Sequence, residues 1–117
     1  MSRNPLKEKS LLFALRIIKL YEILTSERKE YILAKQLMRS GTNPGAMAQE
    51  ASFAESRSDF IHKLAIAKKE LAESKYWLEL IWRSNYLSDD EYKSINNDAT
   101  EILKLLTSSI NTAKKNK

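Results

Sequence analysis

Apolar residues recur along this chain at helical spacing almost from end to end. Phe13, Ile17, Leu20 and Leu24 form one stripe, with Ala14, Ile18 and Tyr21 beside it. That stripe predicts a first helix over about residues 6–24, entered through Pro5, whose missing N–H costs nothing in a first turn. Thr25-Ser26-Glu27 closes this helix and opens the next, with Ser26 able to cap and Glu27 and Glu30 suited to a positive helix start. A second helix is expected over 27–53, with Tyr31, Ala34, Leu37 and Met38 inward. The third, over 57–84, carries Phe60, Leu64, Ala67, Leu71, Ser74, Leu78 and Ile81 in steps of four and three, a heptad seam. Ser56 stands at capping-box spacing before it, with Asp59 in place of the usual Glu. After a turn at Asn85-Tyr86-Leu87, Ser88-Asp89-Asp90-Glu91 is a full capping box for a fourth helix over 89–114. Its seam is Ile95, Ala99, Ile102, Leu106, Ile110 and Ala113.

One irregular point interrupts the pattern. Gly41-Thr42-Asn43-Pro44-Gly45 holds both glycines and one of the two prolines of the chain. A helix can stop near Ser40 and restart at Pro44, because an interior proline costs about 3 kcal/mol. It can also pass through with a kink. The steps Leu37, Gly41, Pro44, Ala48 and Ala51 stay in phase, which favours a kinked single helix. Small residues here also let another helix approach closely. Four helices with short connections predict an all-α, up-down-up-down four-helix bundle forming one domain over residues 1–117.

Composition narrows the rest. Two Gly and two Pro in 117 residues leave too few turns for an all-β fold. No Cys is present, which excludes disulfides and thiolate metal sites and suits a reducing, cytoplasmic setting. No apolar run approaches the ~20 residues needed to cross a bilayer, and the start lacks an apolar signal core. The net charge is +5. Residues 1–28 carry six Lys/Arg against three acids, and residues 93–117 carry five Lys against two acids. The excess therefore lies at the two chain ends, on helices that neighbour each other in such a bundle. Arg3, Lys7, Lys9, Arg16 and Lys19, with Lys114 and Lys115, are the candidate phosphate contacts to RNA or DNA. The competing reading is a solvated surface with a basic tail.

Catalytic chemistry finds little support. One His and no Cys exclude a His- or Cys-rich metal site, and the Glu-x-x-His pairs of di-iron bundles are missing. No nucleophile elbow and no phosphate loop occurs. Arg57 and His62 have the spacing of an acid/base and charge-stabilising pair for RNA cleavage, a weak signal in a basic chain. No cofactor is expected, and the reading is non-enzymatic. Arg39, Ser40, Asn43, Glu50 and Asp59 form a second group. They read either as a buried Arg–carboxylate network holding the kink or as a contact for a partner. Tyr76, Trp77 and Trp82 flank an already filled seam. They suit a homo-oligomer interface, or else cap one end of the bundle.

At these same residues the chain resembles the bacterial four-helix bundle proteins, also called rRNA intervening-sequence proteins. The likeness rests on Arg39-Ser40-Gly41-Thr42, Gly45-Ala46, Glu50-Ala51, Ala54-Glu55-Ser56, Asp59-Phe60-Ile61-His62-Lys63-Leu64, Lys69-Glu70 and Tyr76-Trp77-Leu78-Glu79-Leu80. Three positions depart from the family pattern: Asn43 where Ser is typical, Pro44 where Ile is common, and Met47 where Asn is typical. The resemblance implies a four-helix bundle assembled into a ring-shaped pentamer. It also implies similarity to the accessory variability determinant of diversity-generating retroelements, which works with a reverse transcriptase and binds nucleic acid. For most of the family no activity is established.

Overall fold

Asn4 caps the first helix, its side chain accepting from the Lys7 backbone N–H at 3.1 Å, and Pro5 occupies the first turn. In the computed structural model, which describes residues 4–116, the chain forms α1 (Pro5–Ser26), α2 (Ile32–Ala51), α3 (Arg57–Arg83) and α4 (Asp89–Lys115). The fold is an all-α bundle, with no strand among the described residues. The buried side of α1 is Leu6, Ser10, Phe13, Ile17, Leu20 and Leu24. α3 buries Leu64, Ala67, Leu71, Ser74, Leu78 and Ile81, and α4 buries Ile95, Ala99, Ile102, Leu106 and Ile110. These are the stripes that the periodicity predicts, except that Phe60 and Ala113 are only half-buried.

The junction of α1 and α2 differs from the expectation. α1 runs on to Ser26, whose hydroxyl donates to the Glu22 carbonyl within its own helix and caps nothing beyond it. A turn over residues 27–31 follows, with Lys29 at φ 56°. α2 begins at Ile32 instead of Glu27; its N-cap residue, Tyr31, makes no side-chain cap bond, and the Glu30 carboxylate just before it does that work. That carboxylate accepts from the Leu33 and Ala34 backbone N–H groups at 2.9 and 3.1 Å, doing with a longer side chain what a Ser or Asp does elsewhere. Tyr31, expected to face inward, is exposed.

The other two caps follow the sequence. Ser56 Oγ accepts from the Asp59 N–H at 3.0 Å, and Asp59 accepts from the Glu55 N–H at 3.2 Å. Ser88 and Glu91 exchange both bonds of a capping box. The Ser88 backbone N–H, followed by the Ser88 hydroxyl, holds the Glu91 carboxyl below its ordinary value. α3 ends in a Schellman turn: Asn85 takes φ 69°, its N–H reaches the Trp82 carbonyl, and the Tyr86 N–H reaches Ile81. Arg28 ties the two turns at this end together. Its guanidinium donates to the Asn85 carbonyl at 3.0 Å and lies 4.8 Å from the centre of the Tyr86 ring.

α2 passes through Pro44 as one unbroken helix and buries Ala34, Leu37, Ser40, Gly41, Pro44, Ala48 and Ala51. The Thr42 hydroxyl donates to the Met38 carbonyl at 2.8 Å in the turn before the proline. Each helix packs on two neighbours, α1 on α2 and α4, α3 on α2 and α4. Along every such pair the contacts run in opposite directions. Gly41 lies by Ile17 and Gly45 by Ser10, Ser40 meets Ser74 while Glu50 meets Lys63, and Lys75 meets Thr100 while Trp82 meets Asp89. The bundle extends 49 × 26 × 22 Å.

The two glycines differ in what surrounds them. A Cβ on Gly41 would sit 2.7 Å from Ile17 Cγ1, an overlap at a fully buried side chain, whereas a Cβ on Gly45 would meet the Ser10 carbonyl oxygen at 3.4 Å, an ordinary contact. Gly41→Ala should therefore destabilise the fold by about 1–2 kcal/mol, overpacking outweighing the better helix propensity of Ala. Gly45→Ala should be neutral or stabilise by about 0.5–1 kcal/mol. Denaturant unfolding at one fixed protein concentration measures both, and equal effects at the two sites would refute the assignment. Ser10 Oγ is buried with no hydrogen-bond partner among the described residues. Ser10→Ala should raise stability by about 1 kcal/mol, because an orphaned hydroxyl carries its full desolvation cost; a loss in the same unfolding assay would show that the hydroxyl is partnered.

Candidate nucleic-acid interface

The first and last helices do neighbour each other, but their meeting line is not a basic face. α4 turns Asp98 and Glu101 toward α1. Lys9 pairs with Glu101, and Arg16 donates to Asp98 at 2.7 Å. The hydrogen bond to Glu101, then its charge, pushes the Lys9 ammonium pKa up. Two of the candidate cations are thus matched one-to-one by carboxylates, with both side chains of each pair still about half exposed. Lys7 is half-buried at a cleft with Leu11, Ala14, Thr42 and Gly45. Lys19 is exposed beside Ile23 and Leu87. Lys114 and Lys115 are exposed in the last turn of α4, on the order of 20 Å along the helix from Glu101. Arg3 lies outside the described residues.

The group around the breaker cluster does not form a buried charge network. Arg39 is exposed, and its guanidinium makes no hydrogen bond or ion pair among the described residues. Glu50, also exposed, pairs with Lys63 at 3.4 Å, and Asp59 serves the start of α3. Asn43 is half-buried and Met47 packs against the core. The buried polar link from α2 to α3 is uncharged. Ser40 and Ser74 are both buried, with their hydroxyl oxygens 3.1 Å apart. Ser74 also lies 3.0 Å from the Glu70 carbonyl, and one hydroxyl proton serves only one acceptor. With Ser74 donating to that carbonyl, Ser40 donates to Ser74. An Arg–carboxylate pair placed here would have carried a desolvation cost that two hydroxyls avoid.

The aromatic surplus divides. Tyr76 is exposed, edge-on to Trp77 with ring centres 5.3 Å apart. Trp77 is half-buried and donates Nε1–H to Glu73 at 3.2 Å. Trp82 is stacked on Tyr92 at 4.3 Å with the rings 4° from parallel, and its Nε1–H donates to Asp89 at 2.7 Å. That ring joins α3 to α4 within one chain. The large apolar exposure is elsewhere, on α1, where Leu11, Leu12 and Leu15 are 59%, 55% and 53% exposed. Ile32 and Phe53, at the two ends of α2, are also open. The signal for the α1 leucines was in the sequence: they fall outside the stripe of Phe13, Ile17, Leu20 and Leu24.

Arg57 and His62 are both exposed on α3. Five residues apart on one helix places them about 140° apart around its axis, so they do not converge on one phosphate. Among the described residues no group of three His, Cys, Asp or Glu side chains is placed to hold a metal, and no helix is long and apolar enough to cross a membrane.

Comparison with known proteins adds a family. The model of the 23S rRNA-intervening sequence protein matches residues 3–108. A crystal structure from Bacteroides thetaiotaomicron, of a protein of unknown function from the S23 ribosomal protein family, is 55% identical. The match covers 90% of this chain and 97% of that one, with a TM-score of 0.89. No curated protein matches. The agreement of nearly the whole chain with the family model, and of its fold with a relative at this identity, places the protein in the 23S rRNA-intervening sequence protein family.

Proposed function

We propose that this chain is a non-enzymatic bundle of the cytoplasm that assembles with copies of itself and binds RNA through phosphate contacts. The observation that carries the reading is the imbalance between paired and unpaired cations. Four ion pairs join described residues, engaging Lys9, Arg16, Lys63 and Arg83. Lys19, Lys104, Lys114 and Lys115 stand exposed with no carboxylate partner among the described residues. A polyanion supplies what the protein's own acids do not, and several such surfaces on one assembly gain avidity. The resemblance to the accessory variability determinant supports the same reading.

Self-association fits the outer side of α1. Leu11, Leu12 and Leu15 form an apolar ridge, and beside it runs a cleft of small residues, Ala14, Thr42, Gly45 and Ala46. Ridge and cleft on one face let copies pack side by side, and the family resemblance supplies a ring as the closed form of such packing.

Two outcomes are expected. Fluorescence anisotropy with a labelled structured RNA should show binding at roughly 50 mM salt that weakens steeply by 200 mM, with a log–log slope counting the phosphates engaged. Absence of binding at the lower salt would overturn the nucleic-acid reading. In multi-angle light scattering the wild type should be an oligomer, and Leu12→Glu with Leu15→Glu should be a folded monomer. An unchanged oligomer would move the subunit contact away from α1, and a monomeric wild type would leave the ridge to a different protein partner, such as a reverse transcriptase.

A further inference from the structure

α4 is divided along its length by charge. Its acids Asp98 and Glu101 face α1, as the ion pairs with Arg16 and Lys9 show. Its other side meets α3, where Lys75 donates to the Thr100 hydroxyl, which in turn donates to the Asn96 carbonyl. Partial burial pushes the Lys75 pKa down. At the far end of the same groove, Arg57 at the start of α3 lines a cleft with Ser108 and Thr112 of α4. Two observed contacts thus bracket one face.

Between those brackets the helical period places the remaining cations. Lys68 lies seven residues from Lys75 and eleven from Arg57, on the same side of α3. Lys104 lies one turn beyond Thr100, and Lys114 fourteen residues beyond it, on the same side of α4. The row from Arg57 to Lys75 spans about 27 Å of helix. No acid belongs to it. From Thr100 to Asn116 the only acid is Glu101, three residues before Lys104 and already paired with Lys9 of α1. On α3, Asp59, Glu70 and Glu73 each stand two residues from a cation of the row, about 160° around the helix. Asp59 is engaged in the cap and Glu73 with Trp77.

Resting on the nucleic-acid reading above, we propose that the phosphate backbone of a nucleic-acid helix lies along this α3–α4 groove, on Arg57, Lys68, Lys75, Lys104 and Lys114, and not along α1. None of these cations has a carboxylate partner among the described residues, because the two nearest acids, Glu79 and Glu101, are taken by Arg83 and Lys9, so an approaching phosphate row supplies a counter-charge that the fold leaves out. Thr100 orients Lys75 and leaves two of its three ammonium protons for a ligand. Lys9 and Arg16 of α1 differ, because a phosphate would have to displace Glu101 or Asp98.

The test compares two variants of equal net charge. Lys68→Gln with Lys104→Gln removes two charges from the groove, and Lys29→Gln with Lys35→Gln removes two from the first turn and α2. Binding to a fluorescent RNA hairpin and to a matched DNA duplex is measured across salt, with helicity checked by circular dichroism. The groove variant should bind at least tenfold more weakly at ~50 mM salt, and its salt slope on duplex DNA should fall by about 1.8, near 0.9 per lost phosphate contact. The other pair should retain most of the affinity, and Lys68→Arg with Lys104→Arg should restore it. Equal losses in the two double variants would overturn the groove while leaving nucleic-acid binding intact. No binding by the wild type would overturn both. Preference between hairpin and duplex identifies the natural source of the phosphates.

Discussion

The close approach of α1 and α2 at Gly41 is the constraint on which the bundle depends. Ile17 fills the space that a side chain at position 41 would occupy, so the two helices lie nearer than ordinary core residues would permit. Dispersion between tightly packed atoms grows steeply with proximity, and a buried Ile surrounded on all sides gains it in full. The same approach sets the line of α2 and carries Ser40 to the hydroxyl of Ser74 on α3. Pro44, which removes a backbone donor, is tolerated because it sits on the buried stripe of a helix already held by α1 and α3.

Much of this was legible in the residues. The α3 and α4 seams could be written down from the order of Leu, Ile, Ala and Ser, and the capping boxes at Ser56 and Ser88 placed their starts. Continuous phase through Leu37, Gly41, Pro44, Ala48 and Ala51 indicated one helix across the breakers. The α1–α2 junction was misplaced because its cap is a glutamate acting at longer reach than the Ser and Thr that standard cap signals favour. Glu30 reads as a helix-start charge from sequence and turns out to supply the capping carboxylate from one residue before the N-cap Tyr31.

The site was less legible, for a physical reason. Net charge by chain segment records how many cations a helix carries and nothing about which side of it they occupy. Lys9 and Arg16 raise the charge of the first helix, yet they face Glu101 and Asp98 across a groove that no one-dimensional sum reveals. Arg39 and Glu50 share a helix but have different neighbours. Trp82 counts as surplus beside a filled seam until Tyr92 is brought alongside it. In each case the deciding partner lies on another helix.

Both tryptophans of the chain are on α3 within its last two turns, Trp77 against Glu73 and Trp82 against Tyr92 and Asp89. The protein is therefore unevenly instrumented. Its ultraviolet emission is a local gauge of the end where Arg28 latches the two turns, sensitive to anything that parts the stacked rings. The opposite end, where α3 begins and α4 finishes, is optically silent, so a change confined to it leaves the emission spectrum unmoved.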